Sequence, residues 1–492
     1  MRKTQLLLAL VAIGFAGSSY ATNGMNLEGY GPIAAGMGGA SMAYDNGNAA
    51  VMNNPATLGL AVDGSRLDVA IGMLGPDVTS KFTGMPDANS SGDSYYMPAV
   101  GWTRKNASFT YGAALFAQGG MGTDYSGASF MSAGSGLPSR SELGVGRLIF
   151  PLAYNVNPDL TVGGSLDYVW AMMDLQMAMN SNQFFDLAGA PGVAGGMPGC
   201  VTGNCFGQVS GSMMTAFNGA VGSGFLNNGA GAGAGFGTGP LNWGYFNFSD
   251  DSDYTGKAKG SGFAGKIGFT YKASPTLTIG GTYHSKTSLG DMKGNASVSF
   301  NVNADPAASG TYTAMSIPVS GKISVVDFQW PETVGLGLAY QASDKLMVAV
   351  DYKRINWADV MKDFKMTFVA NGTQANPLAM GFAGTTLDAT MFQDWDDQDV
   401  FMIGLSYKTT DKLTLRAGMN IANNPVPNEF MNPLFPAIEK EHFTAGVGYA
   451  LSEFSDVNFS LQHAPEVSQT NAQGVTVDHS QTSWQLMYSK RF

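Results

Sequence analysis

The sequence predicts an all-β fold, a 14-stranded antiparallel transmembrane β-barrel with an N-terminal plug in its lumen. Three observations carry this prediction. An export signal opens the chain, yet no later run reaches the ~18 apolar residues of a membrane helix. Long stretches alternate apolar and polar residues with period two. One stretch, Thr22 to Leu60, fits neither strand nor helix periodicity and is almost free of charge.

In chain order, Arg2 and Lys3 give a positive start, Leu6 to Phe15 an apolar centre, and Ser19-Tyr20-Ala21 a small-x-small cleavage rule. Residues 1–21 therefore read as a signal peptide, too short in its apolar part to anchor the chain. No Cys follows that centre, so a lipoprotein anchor is not indicated.

Residues 22–64 read as a plug. Gly24, Gly29, Gly31, Gly36, Gly38 and Gly39 let backbone run against backbone, and Pro32 and Pro55 fit irregular segments. A disordered arm is the alternative. The apolar set Met25, Leu27, Tyr30, Ile33, Met37, Met42, Tyr44, Val51 and Met52 argues against it.

Residues 65–492 read as the barrel. In Leu160–Trp170, the residues Leu160, Val162, Leu166, Tyr168 and Trp170 share one face, and Thr161, Gly163, Ser165 and Asp167 the other. The same pattern holds in Leu346–Tyr352 and Leu413–Asn420, with aromatics at strand ends as a lipid-facing wall needs. Turns recur at Asn157-Pro158-Asp159, Ser274-Pro275-Thr276, Ser343-Asp344-Lys345, Thr410-Asp411-Lys412 and Phe454-Ser455-Asp456, with a sixth at Arg104-Lys105-Asn106-Ala107. Six inner turns predict strands near 65–74, 95–105, 107–118, 143–156, 160–175, 260–273, 276–290, 320–342, 345–369, 398–409, 412–421, 441–451, 456–464 and 480–492. Gly112 in the third of these and the pair Gly119-Gly120 just past its end are candidate weak points or, alternatively, ordinary strand glycines.

The chain of 492 residues carries only 13% charged residues and a formal net charge of −11, made more negative when Arg2 and Lys3 leave with the signal. Such a chain is a poor nucleic-acid binder. Its four His hold no zinc spacing, and no catalytic constellation stands out, so no metal, cofactor or catalytic residue is assigned. Cys200 and Cys205, with four residues between them in an exported chain, suggest one local disulfide.

Two sets of residues are candidates for ligand binding. The longest loop, near 180–256, carries the apolar clusters Phe184, Phe185 and Leu187, then Met213, Met214 and Phe217. It reads either as a flexible surface loop or as an outer lip that collects hydrophobic molecules. Arg147 and Lys266 face the lumen by alternation, toward its outer half, where a cation would stabilise an entering carboxylate. Alternatively they pair with inward acids such as Asp167 and Asp351, because buried charges need partners.

The order of these pieces resembles the outer-membrane long-chain fatty acid transporters, the FadL family, which includes channels for toluene and related hydrocarbons. The residues carrying the resemblance are Asn54-Pro55-Ala56 at the end of the plug, Asn356-Trp357-Ala358-Asp359-Val360, Asn424-Pro425-Val426-Pro427, and the run from Phe435-Pro436 through Gly446-Val447-Gly448-Tyr449. The resemblance implies a hatch at 22–64, with Gly36, Gly38, Asn54, Pro55 and Ala56 among its residues, and agrees with fourteen strands. It implies passive uptake of long-chain fatty acids or other hydrophobic small molecules by a monomer among outer-membrane lipids. The cargo would leave sideways after the hatch shifts. Aromatic hydrocarbons are an alternative cargo. A general porin and an outer-membrane lipid hydrolase are rival readings.

Overall fold

The structure is a computed structural model that describes residues 23–188, 206–227, 239–252 and 255–492. The expected signal peptide and the Cys200–Cys205 pair lie outside the described residues, as does the side chain of Phe185.

The strands in chain order are β1 (Gly64–Leu74), β2 (Pro76–Phe82), β3 (Ala88–Asn89), β4 (Tyr95–Asn106), β5 (Phe109–Tyr125), β6 (Ser139–Asn155), β7 (Leu160–Asn180) and β8 (Gly207–Ser210). They continue as β9 (Leu241–Phe248), β10 (Ala258–Ser274), β11 (Leu277–His284), β12 (Ser288–Leu289), β13 (Met292–Ala304), β14 (Thr313–Val326), β15 (Thr333–Gln341) and β16 (Leu346–Ile355). The last are β17 (Asp363–Ala370), β18 (Thr386–Phe392), β19 (Gln398–Lys408), β20 (Leu413–Ala422), β21 (Glu441–Ser452), β22 (Ser455–Thr470) and β23 (Val475–Arg491).

The expectation of a fourteen-stranded sheet is corrected: among the described residues, one antiparallel sheet contains 23 strands. Its closing circuit runs β1–β4–β5–β6–β7–β10–β11–β15–β16–β19–β20–β21–β22–β23 and back to β1. The remaining strands extend or bridge that circuit beyond its outer rim. The predicted strand 320–342 is broken where Asp327 takes φ 55 just before Pro331. The predicted strand 345–369 is broken by the 3₁₀ turn Trp357–Asp359. Each break releases a segment that pairs outward instead: β14 with β13 and β17, and β17 with β18.

The six tight turns join β4–β5, β6–β7, β10–β11, β15–β16, β19–β20 and β21–β22 on one rim. Large apolar side chains such as Phe150, Leu152, Tyr154, Ile267, Phe269, Leu336, Phe401, Leu486 and Tyr488 are exposed on the outside at alternate positions. Their in-between neighbours, Ile149, Ala153, Lys266 and Met487 among them, are buried. That is the inside-out pattern of a wall in lipid, where exposed apolar surface costs nothing and backbone groups are paired from strand to strand.

Residues 23–60 lie within the circuit and are buried almost throughout. Pro32 opens a one-turn helix, Pro32–Ala35, where its missing N–H is no loss. Asn54 caps the 3₁₀ helix Pro55–Leu60: its side-chain oxygen accepts from the Ala56 N–H at 3.0 Å, and its amide donates to Met42 O (2.8 Å) and to Phe269 O of β10 (3.0 Å). Lys105 of β4 donates to Gly59 O and Ala61 O where the segment leaves for β1.

Candidate functional site

The wall has a window between β4 and β5. Their pairing runs from Asn106↔Phe109 up to Val100↔Leu115 and stops. Above it β4 keeps its ladder with β1 and β5 its ladder with β6, with no pairing between the two. The window is closed again further out, where Ser90 bridges Tyr125 and the Ser91 N–H donates to Asp124 O. Residues 116–123 thus lack the neighbour strand that the rest of β5 has.

A bulge explains the parting. The β5–β6 register shifts between Ala117 and Gly119, which leaves Gln118 as the extra residue. Bulges bend a strand and strengthen its twist, turning its edge away from a partner. Gly119 tolerates no side chain here, because a Cβ would collide with Met25 O and lie 3.2 Å from the Trp330 ring.

A cavity of about 380 Å³ occupies the window. Its inner wall includes Met25, Leu27, Phe116, Leu143 and Val145, all buried. Its outer wall includes Tyr96, 48% exposed, with Gly144, Gly146 and Trp170. Leu143 and Val145 alternate with Gly144 and Gly146 along β6, so the cavity touches both faces of one strand and crosses the sheet. No Lys or Arg lines it, and its one carboxylate, Glu142, is held by Arg140 at 2.6 Å. A second, wider space of about 920 Å³ lies among the outer extensions, lined by Phe82, Met131, Met177, Phe206, Met391 and Phe430 among others.

The structure places the sequence-predicted residues as follows. Gly36 and Gly38 meet the opposite wall backbone to backbone. A Cβ on Gly36 would lie 3.0 Å from the Gly446 Cα, and one on Gly38 would lie 2.5 Å from Met419 O. Gly38 also has φ +69 and donates its N–H to Thr444 Oγ1 at 2.9 Å. Pro55 and Ala56 press on Gly163 of β7. Arg147 and Lys266 are buried and share the Asp167 carboxylate; Arg147 Nη1 lies 2.8 Å from its Oδ2. Neither lines the window cavity. Phe184, Met213 and Phe217 are fully buried and Met214 nearly so; Phe184 meets Phe300 edge to face and Phe217 meets it at a tilt, each with ring centroids 5.7 Å apart. These side chains build the core of the outer extension instead of lining an open lip. Of the resemblance motifs, Trp357 packs on Gly24 near the start of the buried N-terminal segment, and Pro436 joins the window cavity.

Deep in the lumen, Glu28 is fully buried 3.6 Å from His442, and burial pushes its carboxyl up to about 7 despite the nearby Lys353. Asp351 accepts the backbone N–H of Ser41 and of Met42, tying the N-terminal segment to β16. His284 makes a 2.8 Å contact with Asn53 O, which is a structural use of that ring. Asp397 and Asp399 pair with Arg354 at 2.8 and 3.0 Å.

The window residues Met25, Leu27, Tyr96, Phe116 and Trp170 carry no motif of their own. Only the Gly119-Gly120 doublet inside a strand marked the place in advance.

A family model described as outer membrane protein transport protein (OMPP1/FadL/TodX) matches residues 9–488. The crystal structure of the P. putida toluene transporter TodX is similar at a TM-score of 0.77 and 29% identity, covering 95% of this chain and 99% of that one. That of the Ralstonia pickettii toluene transporter TbuX gives 0.71 and 30%, covering 95% and 99%. A Pseudomonas aeruginosa FadL homologue shares the fold, at 0.66 and 14%, covering 95% and 100%. One curated relative, an uncharacterized protein in the phosphoenolpyruvate carboxykinase gene 5′ region of Chlorobium limicola, is 48% identical over 94 residues. Those residues are 18% of this chain, and the chain spans 46% of that relative's length.

Proposed function

This chain belongs to the outer membrane protein transport protein family (OMPP1/FadL/TodX), and from that membership we propose passive uptake of small, neutral hydrophobic molecules, aromatic hydrocarbons foremost. The family carries hydrophobic compounds across the outer membrane of Gram-negative bacteria and acts as a channel, not as an enzyme. In the proposed route, cargo gathers in the Met- and Phe-lined outer space, where flexible thioethers adapt to varied apolar shapes. It moves to the window cavity and leaves between β4 and β5 into the bilayer. Residues 23–60 act as a hatch whose first residues wall the cavity. We propose that one copy of the chain suffices.

The observation that carries this reading is the cavity that crosses the sheet with no Lys or Arg in its lining. A carboxylate entering such a space would lose its hydration with no cation to receive it, a cost of several kcal/mol (~2–7 for a polar group alone). A neutral ring incurs no such loss. The similarity to two toluene transporters points the same way. Long-chain fatty acid is the second reading, favoured by one observation: Arg147 and Lys266 share a single carboxylate, so that this cluster holds one more cation than carboxylates. The test is uptake of labelled toluene and labelled oleate into cells lacking their own such channels, with and without this protein. The reading expects faster toluene uptake and unchanged oleate uptake; the reverse overturns it in favour of fatty acids.

A further inference from the structure

The bulge that parts β4 from β5 is also the point where the N-terminal segment is tied down. Three separate ties converge on two consecutive residues. The Tyr30 hydroxyl donates to the backbone carbonyl of Gln118 and lies 2.8 Å from the Asn26 side-chain oxygen. Asn26 forms an antiparallel bridge to Gly119. The Gln118 side-chain oxygen accepts from Arg147 Nε, and Arg147 is fixed in turn by Asp167, which also holds Lys266. Tyr30, Gln118 and Arg147 are all at least nine-tenths buried.

The chemistry explains why these ties exist. Residues of β5 facing the window have no β4 partner. A carbonyl left there without a donor would be costly in a water-poor wall. The Tyr30 hydroxyl supplies that donor, and Asn26 supplies a short length of surrogate strand. Any movement of residues 23–30 away from the window therefore returns Gln118 O to an unsatisfied state.

We propose that Tyr30 and Gln118 form a latch that couples the N-terminal segment to the window edge and sets how often the window opens. They are positioning residues: neither side chain needs to touch the cargo. Arg147 anchors the latch to the barrel, a different task from receiving a carboxylate. The proposal rests on the window being the exit, as in the function proposed above.

The test uses the full-length protein, first in detergent and then in liposomes. Tyr30→Phe keeps the ring and removes only the hydroxyl. Gln118→Leu removes the acceptor for Arg147, and Gln118→Glu replaces it with a charged one, which tightens the bond. Amide hydrogen exchange is read for residues 23–31, and the initial rate of toluene entry is read in liposomes. Losing one hydrogen bond from the closed state alone should raise opening roughly two- to tenfold. Tyr30→Phe and Gln118→Leu are expected to speed both exchange and entry, and Gln118→Glu to slow both. Exchange at 23–31 that is unchanged in Tyr30→Phe, or entry that falls in all three variants in step with thermal stability, overturns the latch. Wild-type protein that passes no toluene, while Tyr30→Phe still speeds exchange, instead sinks the exit route and leaves the tie itself standing.

Discussion

The N-terminal segment meets the barrel wall in two contrasting ways. Against β19, β20 and β21 it is pressed flush: Gly36 on Gly446, Gly38 on Met419, and Met37 on Gly404 and Gly418. No side chain separates the two backbones there. Beside the window the same segment faces a cavity and reaches β5 through Tyr30, Asn26 and Met25, while nearer the tight turn Asn48, Leu58 and Gly59 bond to β4 and β5. A close-packed face of glycines offers no second arrangement, because interiors at that density cannot deform by degrees. A face held by a few hydrogen bonds around an apolar void can. The contrast assigns a fixed side and a movable side to one short piece of chain.

The strongest way to break this comparison is on the fixed side. Gly38→Val combines a positive φ with a Cβ 2.5 Å from Met419 O, each far more than a β-branched residue tolerates. A loss of about 4 kcal/mol or more is expected, seen as failure to yield folded barrel on heat-shift electrophoresis. A Val variant with normal folded yield would show that the fixed side is loose.

On the movable side, a bulky residue should stop transport and spare the fold. An ideal Cβ on Gly144 meets no atom within 4 Å, and Gly144 lines the window cavity. Gly144→Trp is expected to cut toluene entry tenfold or more with normal folded yield. Full transport through that variant would move the exit elsewhere.

Asn54 tests the tie between the segment and β10. Asn54→Ala removes a cap and two amide donations and should cost about 2 kcal/mol, read as a lower thermal midpoint.

The smallest effect concerns Glu28, buried beside His442 and near Lys353. Its folded value, about 7, lies above its ordinary 4.5. Between those two values the folded form keeps a proton that the unfolded form has lost, so this group's contribution to stability falls as pH rises through that window. Glu28→Gln should flatten the slope of stability against pH between 4.5 and 7. An unchanged slope would mean that the carboxyl is ionised in place.

The wall was legible in the sequence because lipid and lumen impose opposite demands on alternate residues, and runs such as Leu160–Trp170 obey both. The short turns were legible because Asn157, Pro158 and Asp159 each have a backbone reason to be there. The outer extension was not. Strand β9 is buried on both faces, and its alternation of Leu241, Trp243 and Tyr245 with Asn242 and Gly244 changes phase at Phe246, too short a run to stand out of a long loop. The same ambiguity hid the role of Phe184 and Phe217, since an apolar residue in a long loop signals burial and ligand contact alike. The partnership of Arg147 and Lys266 with Asp167 was foreseeable as one of two options, because all three alternate inward on neighbouring strands. The window was hidden for a different reason: it consists of bonds not made, and an absent pairing leaves no residue pattern beyond two adjacent glycines.

The slit between β4 and β5 is sewn at both ends, by Val100 with Leu115 below and by Ser90 with Tyr125 above. A seam finished this way behaves like a buttonhole: it can gape without the cloth tearing further. Its width is therefore set by the stitching and not by the flap behind it. Slender molecules of any length could be threaded through, and stout ones turned back, however far the flap swings.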